Sequence, residues 1–211
     1  IDANYWVGFS STTTNWTDTN NWSKAVVPQP GQHVWFEGGL FNIDCTASLI
    51  SNSFASWTLD SNYTRTVTLA PNAVTGAMHL ILSGDLNIRA GNLALTGDTN
   101  AIGNGQSTNR FGIGYVVEVG NVNIATGAAL HADQKGFPNN MGPGRGTGAI
   151  SQDFGRGAGY GGKGGDGQNN TLWSLGATYD ATNARLPTAL GSGGGHPSAT
   201  PGGGSLWVKA S

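Results

Sequence analysis

A chain of 211 residues with 10% charged side chains and a formal net charge of -2 has no long-range field to attract nucleic acid or an anionic membrane surface. Its single cysteine, Cys45, excludes an intrachain disulfide and a CxxC metal or redox site, and no apolar run approaches the ~20 residues that span a bilayer. With two Glu, four Lys and no capped segment of 3.6-residue apolar period, the expected class is all-β joined to glycine-rich coil. The polar surface then comes from Asn, Thr, Ser and Gly, and Cys45 reads as a small buried side chain. No charged and apolar leader precedes Ile1, and a start of IDANYW without Met reads as a processed or excised one.

In chain order, residues 1–40 form a Trp-rich N-terminal segment. Trp6, Trp16, Trp22 and Trp35, with Trp57 just beyond, are five of the seven tryptophans. Buried indoles on short strands would cap the end of a β-fold and hide its edge. Exposed ones would make a sugar-stacking platform, and the cap is the preferred reading. Residues 41–135 read as short strands between Gly, Asn, Asp and Ser turns, with alternation in RTVTLA (65–70), MHLILSG (78–84) and YVVEVG (115–120). GDLNIRAG (84–91) recurs as GNVNIATG (120–127), so Gly84, Asn87, Ile88 and Gly91 return as Gly120, Asn123, Ile124 and Gly127. Each copy supplies an inward apolar residue, an outward polar one and a corner, and its Asn could stack on the other as a side-chain ladder. These features favour a right-handed parallel β-helix, a solenoid, over a β-sandwich.

Residues 136–204 hold 21 of the 35 glycines, and LWVKA, within 205–211, reads as the start of a further rung. The glycine-rich zone is therefore expected as an insertion between rungs of one continuous domain. Within it, GYGGKGGDG (159–167) has a triplet period. In a polyproline II helix, with three residues per turn, Tyr160, Lys163 and Asp166 would line one edge and glycine the other two. Two glycine edges let neighbouring backbones come close, so ordered packing is preferred to a mobile loop. The partial GxxxxGK and GxGxxG matches of Gly157–Gly164 are rejected as phosphate sites: Gly164 lacks the hydroxyl that a Mg²⁺ needs, and no strand or helix flanks them.

The opening pattern W-x-G…NW…NWS…P-x-x-G-x-x-V-x-F is carried by Trp6, Gly8, Trp16, Asn21, Trp22, Ser23, Pro28, Gly31, Val34 and Phe36. It resembles the start of autotransporter-associated β-strand repeat regions of large secreted bacterial proteins. GPGRG, GAGYGGKGG, LGSGGG and PGGGSLWVKA are similar to glycine-rich insertions of long bacterial surface proteins. The resemblance implies an extracellular or cell-surface β-helical passenger of adhesin type, with no catalytic motif to carry over. Neither a translocator barrel nor a sorting signal is present, so part of a longer protein is expected.

The expected function is an extracellular structural or adhesive module, self-assembling through further β-helical rungs or like subunits, with extracellular polysaccharide as a possible partner. A carbohydrate-binding module is the alternative, with Trp57, Tyr160, Lys163 and Asp166 as candidate ligand-binding residues. A β-helical polysaccharide lyase is the second alternative. Its base and cations would come from His131, Asp133 and Lys135 of HADQK, or from Arg145, Arg156, Lys163, His196 and Lys209. No paired carboxylates, DxDxDG loop, GxSxG or HExxH stands out. The expectation is hence no enzyme activity, no catalytic residues, no cofactor, no metal, no nucleic acid and no membrane insertion.

Overall fold

The computed structural model describes residues 2–10, 13–39, 41–48, 53–71, 78–100, 112–146, 157–160, 164–165, 176–179, 189–196 and 200–211. These carry β1 (Ala3–Trp6), β2 (His33–Phe36), β3 (Cys45–Ser48), β4 (Ser53–Phe54), β5 (Ser56–Leu59), β6 (Thr66–Ala70) and β7 (His79–Leu82). There follow β8 (Leu86–Ile88), β9 (Asn92–Leu95), β10 (Tyr115–Val119), β11 (Val122–Ile124), β12 (Ala129–His131) and β13 (Leu206–Ala210). The one helical piece among them is a 3-10 turn, Thr19–Asn21, whose N-cap Asp18 accepts from the Asn20 N–H. The fold is all-β.

The strands form three open sheets, ordered β1-β2-β5-β8-β11, β3-β6-β9-β12 and β4-β7-β10-β13. Pairing is parallel in each, as in Thr58↔Asn87, Val67↔Leu93 and Leu80↔Val117, which separates the fold from an antiparallel sandwich. From β3 onward the chain visits the three sheets in strict rotation, so each strand pairs with the third one after it. The two copies of the repeat lie directly on one another, with Leu86, Asn87 and Ile88 in register with Val122, Asn123 and Ile124. Gly91 and Gly127, the glycines closing the two copies, turn the chain with φ of +68° and +85°, a region that side chains with a Cβ rarely enter.

Contacts group the chain into two units, Ile1–Leu95 with Tyr115–His131 and Trp207–Ser211, and Thr96–Gly114 with Ala132–Leu206. In the first unit, alternation puts one apolar set inward, and parallel register aligns those sets into rows. Trp6, Phe36, Leu59 and Ile88 form one, and Cys45, Val67 and Leu93 another; all are buried. Each such side chain, removed from water, contributes about 1.5–3 kcal/mol.

The N-terminal end of this array is closed. Residues 13–16 pair along β3 through the Asn15↔Thr46 bridge and the Trp16 N–H to Thr46 carbonyl bond of 2.9 Å. Residues 21–23 pair along β1 through Trp6↔Trp22 and the Ser23 N–H to Tyr5 carbonyl bond of 2.9 Å. Between them sits an aromatic cluster: Trp16 stacks on Trp57 at 5.2 Å and 8°, and meets Trp22 edge-on at 4.6 Å. Trp6, Trp16, Trp22 and Trp57 are all buried, as a cap requires. The Trp22 indole N–H donates to the Trp16 carbonyl (2.8 Å), which fixes the cluster's geometry.

The second unit is held by backbone bonds between glycine-rich segments that belong to no strand or helix among the described residues. Gly136 N–H donates to Gly202, Gly202 to Phe137, Phe137 to Gly191 and Gly191 to Gly203, all at 2.8–2.9 Å. Gly159 donates to Gly144 and Gly164 to Gly176. These segments lie so close that a Cβ on Gly136, Gly164, Gly176, Gly193 or Gly202 would collide with a neighbouring backbone atom. None of the five has a left-handed φ, so glycine is needed there for space and not for conformation. Leu190, Phe137 and Tyr179 supply a small core, and Ser192 Oγ, itself accepting from the Gly144 N–H (2.9 Å), donates to the Tyr179 hydroxyl (3.0 Å).

Candidate functional site

The outward face of the five-stranded sheet gathers the most varied chemistry of the first unit. Parallel register places Tyr5, Trp35, Thr58, Asn87 and Asn123 in one row that crosses β1, β2, β5, β8 and β11, with Thr58 buried at its middle and the other four reached by solvent. On β2 the flanking residues are apolar and turn inward: in His-Val-Trp-Phe, Val34 and Phe36 are buried and Trp35 is partly exposed. Tyr5 and Trp35 lie with ring centroids 6.3 Å apart. Asn123 Nδ2 donates to Asn87 Oδ1 at 2.9 Å, the side-chain ladder expected from the repeat.

Three polar pairs flank the row. On one side His33 Nδ1 and Ser56 Oγ share a 2.7 Å hydrogen bond, and Asn121 Nδ2 donates to Asp85 Oδ1 at 2.9 Å. On the other, Arg89 Nη1 donates to Asp60 Oδ1 at 3.2 Å, and the guanidinium carbon sits 5.8 Å from the Trp35 ring centre. The Ser61 backbone N–H, helped by Arg89, holds the Asp60 carboxyl below its ordinary value of 3.8. At the β8–β11 end the row opens into a shallow recess of about 420 Å³ lined by Asn87, Arg89, Asn123 and Ile124 among others.

Of the residues expected from sequence as ligand-binding, Trp57 belongs to the first unit and Tyr160 to the second. Trp57 is wholly buried, with its ring on Trp16, so it offers no stacking face. Tyr160 packs edge-on against Tyr179 at 4.8 Å and donates to the Ala189 carbonyl (3.2 Å), inside the second unit. Lys163 and Asp166 lie outside the described residues. The Gly157, Gly159 and Gly164 N–H groups that a phosphate cradle would need are bonded to the carbonyls of Gly165, Gly144 and Gly176. Of the groups considered for a lyase, His131 ends β12, while Asp133, Lys135, Arg145 and His196 belong to the second unit. Lys209 pairs with Glu118 (2.7 Å), and Arg156 lies outside the described residues.

Trp35 and Trp57 look alike in sequence, each inside a four-residue strand. The available signal was parity: Trp35 falls between two aliphatic or aromatic neighbours, Val34 and Phe36, that claim the interior, whereas Trp57 lies between Ser56 and Thr58. No family model, curated protein or solved structure matches this chain.

Proposed function

We propose that the chain is an extracellular structural or adhesive module built on a right-handed parallel β-helix, with a bundle of polyproline II-like glycine segments as its insertion. The observation that carries this reading is the strict rotation of the chain through three parallel sheets with the repeat copies in register. Right-handed crossover is the overwhelming preference for parallel connections. Triplet glycine spacing and close backbone approach support the polyproline II geometry of the insertion. The tryptophan and glycine patterns that resemble bacterial autotransporter-type surface proteins supply the location.

The working end of such a module is the uncapped one. There the inward rows terminate in side chains that water reaches: Ile124, next in the row of Trp6, Phe36, Leu59 and Ile88, is 47% exposed. On the edge strand β13, Trp207 and Val208 are 42% and 36% exposed. β11, β12 and β13 are edge strands, with backbone groups ready to pair with further rungs or like subunits. Light scattering and negative-stain microscopy over a concentration series test this. Association expected for the parent chain disappears in an Ile124→Lys, Val208→Pro variant, and a monomer at every concentration overturns self-assembly.

A further inference from the structure

We infer that Tyr5, Trp35, Asn87 and Asn123, the solvent-reached members of the row on either side of the buried Thr58, form a binding site for an extended, uncharged polysaccharide. The inference gives the adhesive reading above its ligand class, and rests on that reading only for its biological setting.

The first support is the geometry of the row. Adjacent strands lie ~4.8 Å apart, so five positions span roughly 20 Å in a straight line, long enough for several consecutive sugar rings. The second is its chemistry. Sugars present an apolar C–H face and a rim of paired hydroxyls; the row answers with two aromatic rings at one end and two side-chain amides at the other. Trp35 and Tyr5 are partly exposed on the solvent side of a sheet, while Trp6, Trp16, Trp22 and Trp57 are buried. Within the ladder one Asn123 N–H is spent on Asn87 Oδ1. Asn87 Nδ2 and Asn123 Oδ1 keep their hydrogen-bonding capacity among the described residues, and both line the recess at the β8–β11 end.

The third support is charge, and it decides between neutral and acidic polymers. The row itself carries no charged side chain. The carboxylates of Asp60 and Asp85 flank it, and the nearby cation, Arg89, is already matched by Asp60. A uronate or sulfated chain lying here would meet carboxylates without an unmatched partner, whereas hydroxyl groups can accept from the amides and donate to the carboxylates.

The test is affinity electrophoresis of the intact chain in gels containing hydroxyethylcellulose, xyloglucan, mixed-linkage β-glucan or galactomannan, with alginate and polygalacturonate as acidic counterparts. Retardation by at least one neutral polymer and by neither acidic one is expected. Trp35→Ala should weaken it by about tenfold or more. Because Trp35 also packs on the sheet, Asn123→Arg at the exposed edge serves as a second variant; it should block the row while leaving the melting temperature unchanged. Retardation by no neutral polymer, stronger retardation by an acidic one, or binding that survives both substitutions overturns the site. Light scattering on the same samples separates the two readings. A chain that associates but binds no polymer loses this site alone, and a monomer that binds loses only self-assembly.

Discussion

Asn21 is a wholly buried amide with every bond it makes directed at the cap backbone. Its Oδ1 accepts from the Ser10 N–H (2.9 Å), and its Nδ2 donates to the carbonyls of Thr13 (3.0 Å) and Asn15 (3.3 Å). Asn21→Ala leaves those groups unsatisfied beside the Trp16–Trp22 pair, and the expected cost is about 1–3 kcal/mol, read as a lower denaturation midpoint. Tyr63 and Tyr115 are the corresponding phenols: Tyr63 donates to the Ile43 carbonyl and Tyr115 to the Ala70 carbonyl, both at 2.9 Å. Burial pushes both hydroxyls well above the ordinary tyrosine value of 10. Raised values mean that the stabilisation is whole below pH 10 and is lost as pH climbs past it, since unfolding frees the phenols to ionise. In an alkaline titration, the phenolate absorbance of these two should rise only together with loss of the fold. Ionisation of all five tyrosines near pH 10 with circular dichroism unchanged would contradict this.

At the scale of elements, the glycine segments make a sharp contrast available. A Cβ on Gly202 would strike the Gly191 carbonyl, whereas one on the adjacent Gly203 meets nothing within 4 Å, and neither glycine has a left-handed φ. Gly202→Ala should therefore destabilise the second unit by about 1–3 kcal/mol through overpacking. Gly203→Ala should be neutral or slightly stabilising, because alanine narrows the unfolded ensemble. Equal melting temperatures for the two variants would refute close packing as the reason for glycine. The strand β13 offers a pH test. Lys209 bonds Glu118 of β10 and holds that carboxyl below its ordinary 4.5, so the pair contributes above that value and fades as pH falls below it. Thermal melts should show the parent chain losing stability on acidification in that range, and Glu118→Gln losing less. The strands β6, β7, β10 and β13 were legible in sequence, because alternation is a local property. The partial GxxxxGK match is rejected on sequence, and the Gly157 and Gly164 N–H groups are indeed bonded to the backbone carbonyls of Gly165 and Gly176.

For the whole molecule, the asymmetry of the first unit governs what it can do. One end is closed by residues 13–16 and 21–23 on β3 and β1, the other leaves Ile124, Trp207 and Val208 exposed. Association through the open end should then saturate at pairs joined tail to tail, because residues 13–16 and 21–23 already occupy the outer edges of β3 and β1 at the other end. Negative-stain images of unbranched filaments longer than two units would refute this. By itself the sequence determined the all-β class, the positions of the main strands and the stacking of Asn87 on Asn123, because alternation, turn glycines and an internal repeat act over a few residues. Only the tertiary structure decided that Tyr5, Trp35, Thr58, Asn87 and Asn123 share a row and that Trp57 does not join them. Loops of unequal length separate Tyr5, Trp35, Thr58 and Asn87 along the chain, and their adjacency comes from strand register, which no repeat in the sequence records.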